Sequence, residues 1–343
     1  INGYGLIVSQ EHLAFRPPFY SFLLAILYFI GFDTFKAGLI QCFLGTFYIF
    51  VQYKLAFMIF KRFDVALISA LLFCLDPLQI FSAPIILTEC VFTCMLISIV
   101  LLLYKAEYLK KSHLFFYTGI LIGFSILCRD SFLIFPIFLS FFYFYTNKKV
   151  LLTVIGAFVV VLPWTYRNYI IFEKFIPVTT KTGTNLYEAL GPGATGGPRC
   201  TFMELPKESK NLPYLEQEDF LTKYTINYML NNPLETIKLI FIKNGRFWNV
   251  GLNDKDFRSN KLVNYGLMLF YSFIYILAII GFIKSNKKEI FLLLLPVLYF
   301  TILHSFFLGS IRYRIPIMPF IEIIAAYGIV IILAKFKFKI TEG

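Results

Sequence analysis

The run VLLTVIGAFVVVLP, Val150 to Pro163, and its later counterpart IFLLLLPVLYFTIL, Ile290 to Leu303, decide the fold. A helix packed on the surface of a soluble domain shows polar residues on one face at a spacing of 3.6, and neither run has such a face. Working outward, apolar blocks recur near 36–60, 64–80, 85–104, 114–128, 131–147, 149–166, 262–283, 288–308 and 314–335. Several reach the roughly 20 residues that a helix needs to cross the hydrocarbon. Across the 343 residues 58% are hydrophobic and 15% charged, where a soluble domain carries about 25% charged. The sequence predicts an all-α polytopic membrane protein with nine transmembrane helices in a lipid bilayer.

The formal charge of +12 follows position. Thirteen of the 32 Lys and Arg residues stand at the ends of apolar blocks: Lys61 and Arg62; Lys105, Lys110 and Lys111; Lys148 and Lys149; Lys284, Lys287 and Lys288; Lys335, Lys337 and Lys339. With each cluster cytoplasmic, the positive-inside rule orients the nine blocks without conflict. Charges dispersed at membrane boundaries form no basic stripe, which argues against nucleic-acid binding.

This orientation divides the chain into an outer segment (1–35), transmembrane helices (36–166), an outer loop region (167–261), and further transmembrane helices with a cytoplasmic tail (262–343). The apolar run Pro18 to Phe32 is short for a span and opens with Arg16-Pro17-Pro18, so it predicts an outer juxtamembrane helix over about 17–31. An outside N-terminus at Ile1 carries the expectation that a first transmembrane helix precedes it. In the outer region, Thr179 to Pro198 is rich in turn formers, whereas Tyr214 to Leu230 and Pro233 to Trp248 read as helices.

The six cysteines suggest neither a metal centre nor a disulfide framework. Cys90 and Cys94 share a helix face, but no His pair or second Cys pair accompanies them. Cys200 stands alone in the outer region, and no cofactor is expected.

Polar groups at outer helix ends are where chemistry is to be sought. They are Glu89, following Thr88; Arg129-Asp130 in a tight turn; Arg167, in Trp164-Thr165-Tyr166-Arg167-Asn168; Arg312 and Arg314, opening the last span; and Arg16. Glu322 lies about two turns inside that last span, where a carboxylate is costly and therefore paired or functional. Arginine makes bidentate, charge-assisted bonds to phosphate oxygens, so arginines facing carboxylates at one surface suit an anionic lipid headgroup. A carboxylate there can act as base toward an acceptor hydroxyl, or orient it. The plainer alternatives are an ion pair within the Arg129-Asp130 turn, an Arg167 that snorkels to the interface, and a packed His304.

Five motifs in order resemble a family: Arg16-Pro17-Pro18-Phe19-Tyr20, Leu87-Thr88-Glu89, Pro163-Trp164-Thr165-Tyr166-Arg167-Asn168, Pro192-Gly193-Ala194-Thr195-Gly196 and Arg312-Tyr313-Arg314-Ile315-Pro316. Together they look like the multi-pass type C glycosyltransferases related to protein O-mannosyltransferases and lipid A aminoarabinose transferases. The resemblance implies a polyprenyl-phosphate-linked sugar donor, inversion at the sugar carbon, and a lipid, glycan or protein acceptor on the outer face of the cell membrane. It matches Arg16 to the basic position before the Pro-Pro pair, Glu89 to a supporting acidic position, and Arg312 and Arg314 to the basic pair opening the final span. Arg167 joins these as a donor-phosphate candidate; Arg129, Asp130 and Glu322 are further site candidates. The family's catalytic Asp follows its first transmembrane helix, and Glu11 is not in a matching context, so the base is expected upstream of Ile1 and this stretch by itself inactive. A ligase or flippase of polyprenyl-linked glycans, or a transporter, is the alternative.

Overall fold

The structure, a computed structural model, describes residues 14–198, 204–253 and 261–341, with side chains in the last helix as far as Lys335. Cys200, Glu11 and the residues around Ile1 lie outside the described residues. The described residues form helices and turns, with no strand among them.

The short apolar run after the Pro-Pro pair is helix α1 (Pro18–Phe29). Asp33 then caps α2 (Thr34–Phe60), accepting from the Lys36 amide at 2.8 Å. The block expected over 64–80 is two helices, α3 (Phe63–Leu75) and the short α4 (Pro77–Ser82). Asp76 makes the break: its carboxylate accepts from the amides of Leu78 and Gln79 at 2.8 and 3.1 Å, and Pro77 takes the first-turn place where a missing N–H costs least. Next come α5 (Thr88–Leu109), α6 (Ser112–Cys128), a single 3-10 turn (Asp130–Phe132), α7 (Phe135–Tyr143) and α8 (Leu151–Phe172). Between α8 and the next long apolar helix come α9 (Thr182–Leu190), α10 (Tyr214–Asn231) and α11 (Pro233–Phe247). The chain closes with α12 (Lys261–Lys284), α13 (Lys287–Phe306), the one-turn α14 (Ile311–Arg314) and α15 (Met318–Thr341).

Helix α9 lies inside a stretch whose composition predicts turns. Its start is held from α10: Glu218 accepts from both the amide and the hydroxyl of Thr184. Gly183 permits that approach, since a Cβ there would fall under 3.0 Å from the Glu218 carbonyl. Tertiary contact thus overrides a weak local preference.

Among the described residues, six helices are long and apolar enough to cross a bilayer: Thr34–Phe60, Thr88–Leu109, Lys148–Phe172, Lys261–Lys284, Lys287–Phe306 and Ile311–Lys335. In α2, α8 and α12 only 28% of the apolar window is buried within the protein, and side chains such as Phe43, Phe158 and Leu269 point outward. A soluble protein does not leave apolar faces of that extent against water; lipid accepts them. This is a multi-pass membrane architecture. Lys61 and Lys110 close α2 and α5 in the left-handed conformation, where a cation suits the helix C-terminus. Lys148, Lys149, Lys287 and Lys288 stand at helix starts, where the dipole disfavours them. Helix electrostatics therefore does not account for all the clusters.

The chain forms two compact units. The first comprises residues 1–26, 119–248 and 301–313; the second 27–118, 249–300 and 314–343. In the first, Gly119 and Gly123 of α6 meet Thr153, Ala157 and Val160 of α8 so closely that any Cβ would collide. In the second, Gly281 of α12 and Gly328 of α15 do the same against Ile324 and Leu277. Glycines at the contact, four apart in α6 and facing each other between α12 and α15, allow this backbone approach, the packing available to helices that gain no hydrophobic term from one another in lipid.

Candidate anion site

After α8 the chain turns at Glu173 and runs back without regular structure along the end of that helix. Its carbonyls need donors, and the Trp164–Asn168 motif supplies them. Trp164 Nε1 donates to Val178 O at 2.8 Å, Thr165 Oγ1 to Pro177 O at 2.9 Å, and Asn168 Nδ2 to Ile176 O and Val178 O at 3.0 and 3.3 Å. Three polar side chains within about one and a half turns clamp three consecutive carbonyls. Arg167 adds a bond to Asn168 Oδ1 at 3.0 Å and lies over the Trp164 ring, 4.7 Å from its centroid.

The strip goes on to gather other motifs. Thr179 Oγ1 donates to Asp130 Oδ2 at 2.7 Å. The Thr180 amide donates to Ala14 O at 3.2 Å, and Lys181 lies 4.8 Å over the Phe15 ring, which fixes the residues just before Arg16. Asp130 is half-buried at the start of its 3-10 turn. Its neighbour Arg129, also half-buried, has its guanidinium 5.8 Å from the Tyr313 ring centroid, and Tyr313 stacks on His304 at 4.8 Å. His304 stacks in turn on Phe247 and bonds to Leu308 O through Nδ1 at 2.9 Å, so it is a packed residue.

The glycine-rich motif is held from below by α11. The Gly309 amide donates to Gly196 O at 2.9 Å, and Arg246 Nε donates to Gly309 O at 3.2 Å. Lys243 Nζ donates to Phe306 O at 2.9 Å, and Asn244 to Ser305 at 2.7 Å. Leu308 and Ala194 pack on a small core of Ala189, Leu190 and Leu239. Lys243 is fully buried, and burial pulls its ammonium down to about 7.

Of the residues singled out in the sequence, Arg16, Arg129, Asp130, Arg167 and Arg312 belong to this unit, Arg16 and Arg312 exposed. Cations outnumber carboxylates among them, which suits an anionic ligand with a single oriented hydroxyl donor beside it. Glu89, Arg314 and Glu322 belong to the second unit and are fully buried. Glu89 stands in the first turn of α5. Arg314 bonds through Nη1 to Asn249 O, with its guanidinium 4.4 Å from the Tyr271 ring centroid. Arg312 and Arg314 therefore do not share an environment. Three buried polar residues absent from the sequence-based candidates accompany Glu322 in that unit: Gln52 donates to Glu322, and Tyr271 donates to Asp76. Asp76-Pro77 was the available signal, a helix-start signature inside an apolar block. Among the described residues no group of three or more His, Cys, Asp and Glu is arranged to hold a metal.

Comparison of the chain with protein-family models, with curated proteins and with solved structures finds no match.

Proposed function

We propose that the chain is a membrane glycosyltransferase that moves a sugar from a polyprenyl-phosphate carrier to an acceptor at the outer face of the cell membrane. The observation that carries the reading is the strip Ile176–Lys181. It is bonded at once to the Trp164–Asn168 helix end, to Asp130, and to the backbone beside Arg16. Motifs far apart in sequence thus meet on one scaffold with their arginines left exposed or half-buried. In this reading Arg16, Arg129 and Arg312 hold the carrier phosphate, and Arg167 braces the scaffold. Asp130 orients the acceptor hydroxyl, whose oxygen attacks the anomeric carbon as the bond to phosphate breaks. The resemblance assigns removal of the hydroxyl proton to a catalytic Asp. Nine crossings follow if α3, α6 and the helical stretch Asp130–Tyr143 cross as well as the six long helices. Their lengths fit a locally thinned or tilted boundary.

The test uses the full-length protein in proteoliposomes with a radiolabelled polyprenyl-phosphate sugar. Release of free polyprenyl phosphate with transfer of label to an acceptor is expected, and Asp130→Asn should lower turnover about a hundredfold, the cost of losing orientation at the reacting centre. Movement of the intact carrier across the bilayer without release would assign a flippase instead. Wild-type turnover in a folded Asp130→Asn variant would remove Asp130 from the site.

A further inference from the structure

The second unit contains a polar cluster that the transfer reaction does not use. Gln52 of α2, Asp76 between α3 and α4, Tyr271 of α12 and Glu322 of α15 come from apolar elements, and each is fully buried. Their donors can be followed one by one. Asp76 Oδ1 accepts from the Leu78 and Gln79 amides and from the Tyr271 hydroxyl at 2.7 Å. Gln52 Nε2 donates to Glu322 Oε2 at 3.1 Å, to Ser69 O at 3.0 Å and to Ser69 Oγ at 3.3 Å. Three acceptor oxygens are left with no hydrogen-bond partner: Asp76 Oδ2, Glu322 Oε1 and Gln52 Oε1. The two carboxyl groups lie close enough to act on each other electrostatically.

Buried polar groups in native proteins are paired, so the deficit has chemical content. Two of the three oxygens belong to carboxyl groups, and an ionised carboxylate has no hydrogen to give. Two carboxylates side by side in a buried site do not both stay charged without a cation to share. The ligand that repairs such a site is cationic and small enough to lie between two carboxyl oxygens. The other charged and titratable groups facing the cluster are Arg314 and Tyr275; the Arg314 guanidinium is 4.4 Å from the Tyr271 ring centroid and 5.6 Å from that of Tyr275. One guanidinium balances one carboxylate and leaves one negative charge over.

We propose that Asp76 and Glu322 form a buried acid–carboxylate pair that binds one proton, carried on Glu322 Oε1 and donated to Asp76 Oδ2. The proton belongs on Glu322 because Asp76 Oδ1 already accepts three hydrogen bonds while Glu322 Oε2 accepts one, from Gln52. Gln52 Oε1, buried and without a donor, marks the side of the pair where a water can deliver the proton. The site stands on the second unit alone and is independent of the transfer reaction proposed above.

Dicyclohexylcarbodiimide is the probe, because it enters apolar sites and adds only to protonated carboxyl groups. The full-length protein in micelles should gain an adduct that mass spectrometry places on Glu322, at least tenfold above the level at that position in Glu322→Gln. Infrared difference spectra on exchange into D₂O should show the carbonyl stretch of a protonated carboxyl, absent in Glu322→Gln. Should that variant fail to fold, the isotope-sensitive band and the adduct in the wild type decide the matter together. Absence of both from the folded wild type overturns the proposal. Sodium at constant ionic strength, with choline as its replacement, should leave labelling unchanged. Protection by sodium would assign the site to a metal cation and overturn the proton.

Discussion

In the first unit Arg16 and Arg312 are exposed and Arg129 and Arg167 half-buried, each at a turn or helix end, whereas Arg314 in the second unit is buried against Tyr271. A fully buried cation has given up its water, and only fixed internal partners offset that loss. An exposed one keeps water that it can exchange for a ligand. Arg312 and Arg314 show the contrast at two positions of a single helical turn. Residues two apart on a helix do not face each other, so Arg-x-Arg in a helix is not a fork, however suggestive the pair looks in a sequence.

The comparison breaks most readily at those two positions. Arg314→Met should cost on the order of 3–5 kcal/mol, because it leaves buried negative charge without its counterpart. Arg312→Met should stay within about 0.5 kcal/mol, as surface changes do. Thermal unfolding in micelles reads both. Similar losses in the two variants would show that burial does not separate their roles.

A smaller effect sharpens the view of the first unit as a scaffold. Asn168→Leu keeps the volume but strands the Ile176 carbonyl and weakens the hold on that of Val178. The expected cost is about 1–3 kcal/mol. It should be local: amide exchange over residues 176–181 accelerates while α12 and α15 keep their protection. Loss of protection throughout would mean that the strip is integral to global stability and not a clamped loop.

These two regions also mark what could be read from residues alone. The membrane helices were legible because their signal is unbroken apolar length: Thr34–Phe60, Lys261–Lys284 and Lys287–Phe306 lie within a few residues of the expected blocks. Helices α10 and α11 were legible too, with Pro233 marking a first turn. Helix α9 was not, because it depends on Glu218, which lies far along the chain. At the site, residue type suggested arginines and carboxylates together, but side-chain type carries no information on burial. Asp130 meets Thr179 through a contact across 49 positions, and Gln52 meets Glu322 across 270. Gln52 drew no attention because a lone amide in an apolar span has no signature until its partner is known.

The mildest effect concerns Lys243, whose titration is moved far by burial alone. Lys243 is buried on α11 with Nζ against Phe306 O, and its ammonium falls from the ordinary 10.5 to about 7. Folding at neutral pH must therefore work against a proton that the unfolded chain holds more tightly. The unfolded state binds more protons between about 7 and 10.5, so stability should rise with pH across that window and level off below about 7, where the folded lysine is protonated too. The slope from this group has an upper bound of about 1.4 kcal/mol per pH unit. Lys243→Met removes the titration and the bond to Phe306 O together, so the pH dependence and not the absolute stability is the quantity to compare. Melting temperatures at pH 7 and 9.5 should differ in the wild type by several degrees more than in Lys243→Met. An equal difference in the two proteins would mean that Lys243 reaches water in the folded state, and would move it from the scaffold to the solvent-facing cations of its unit.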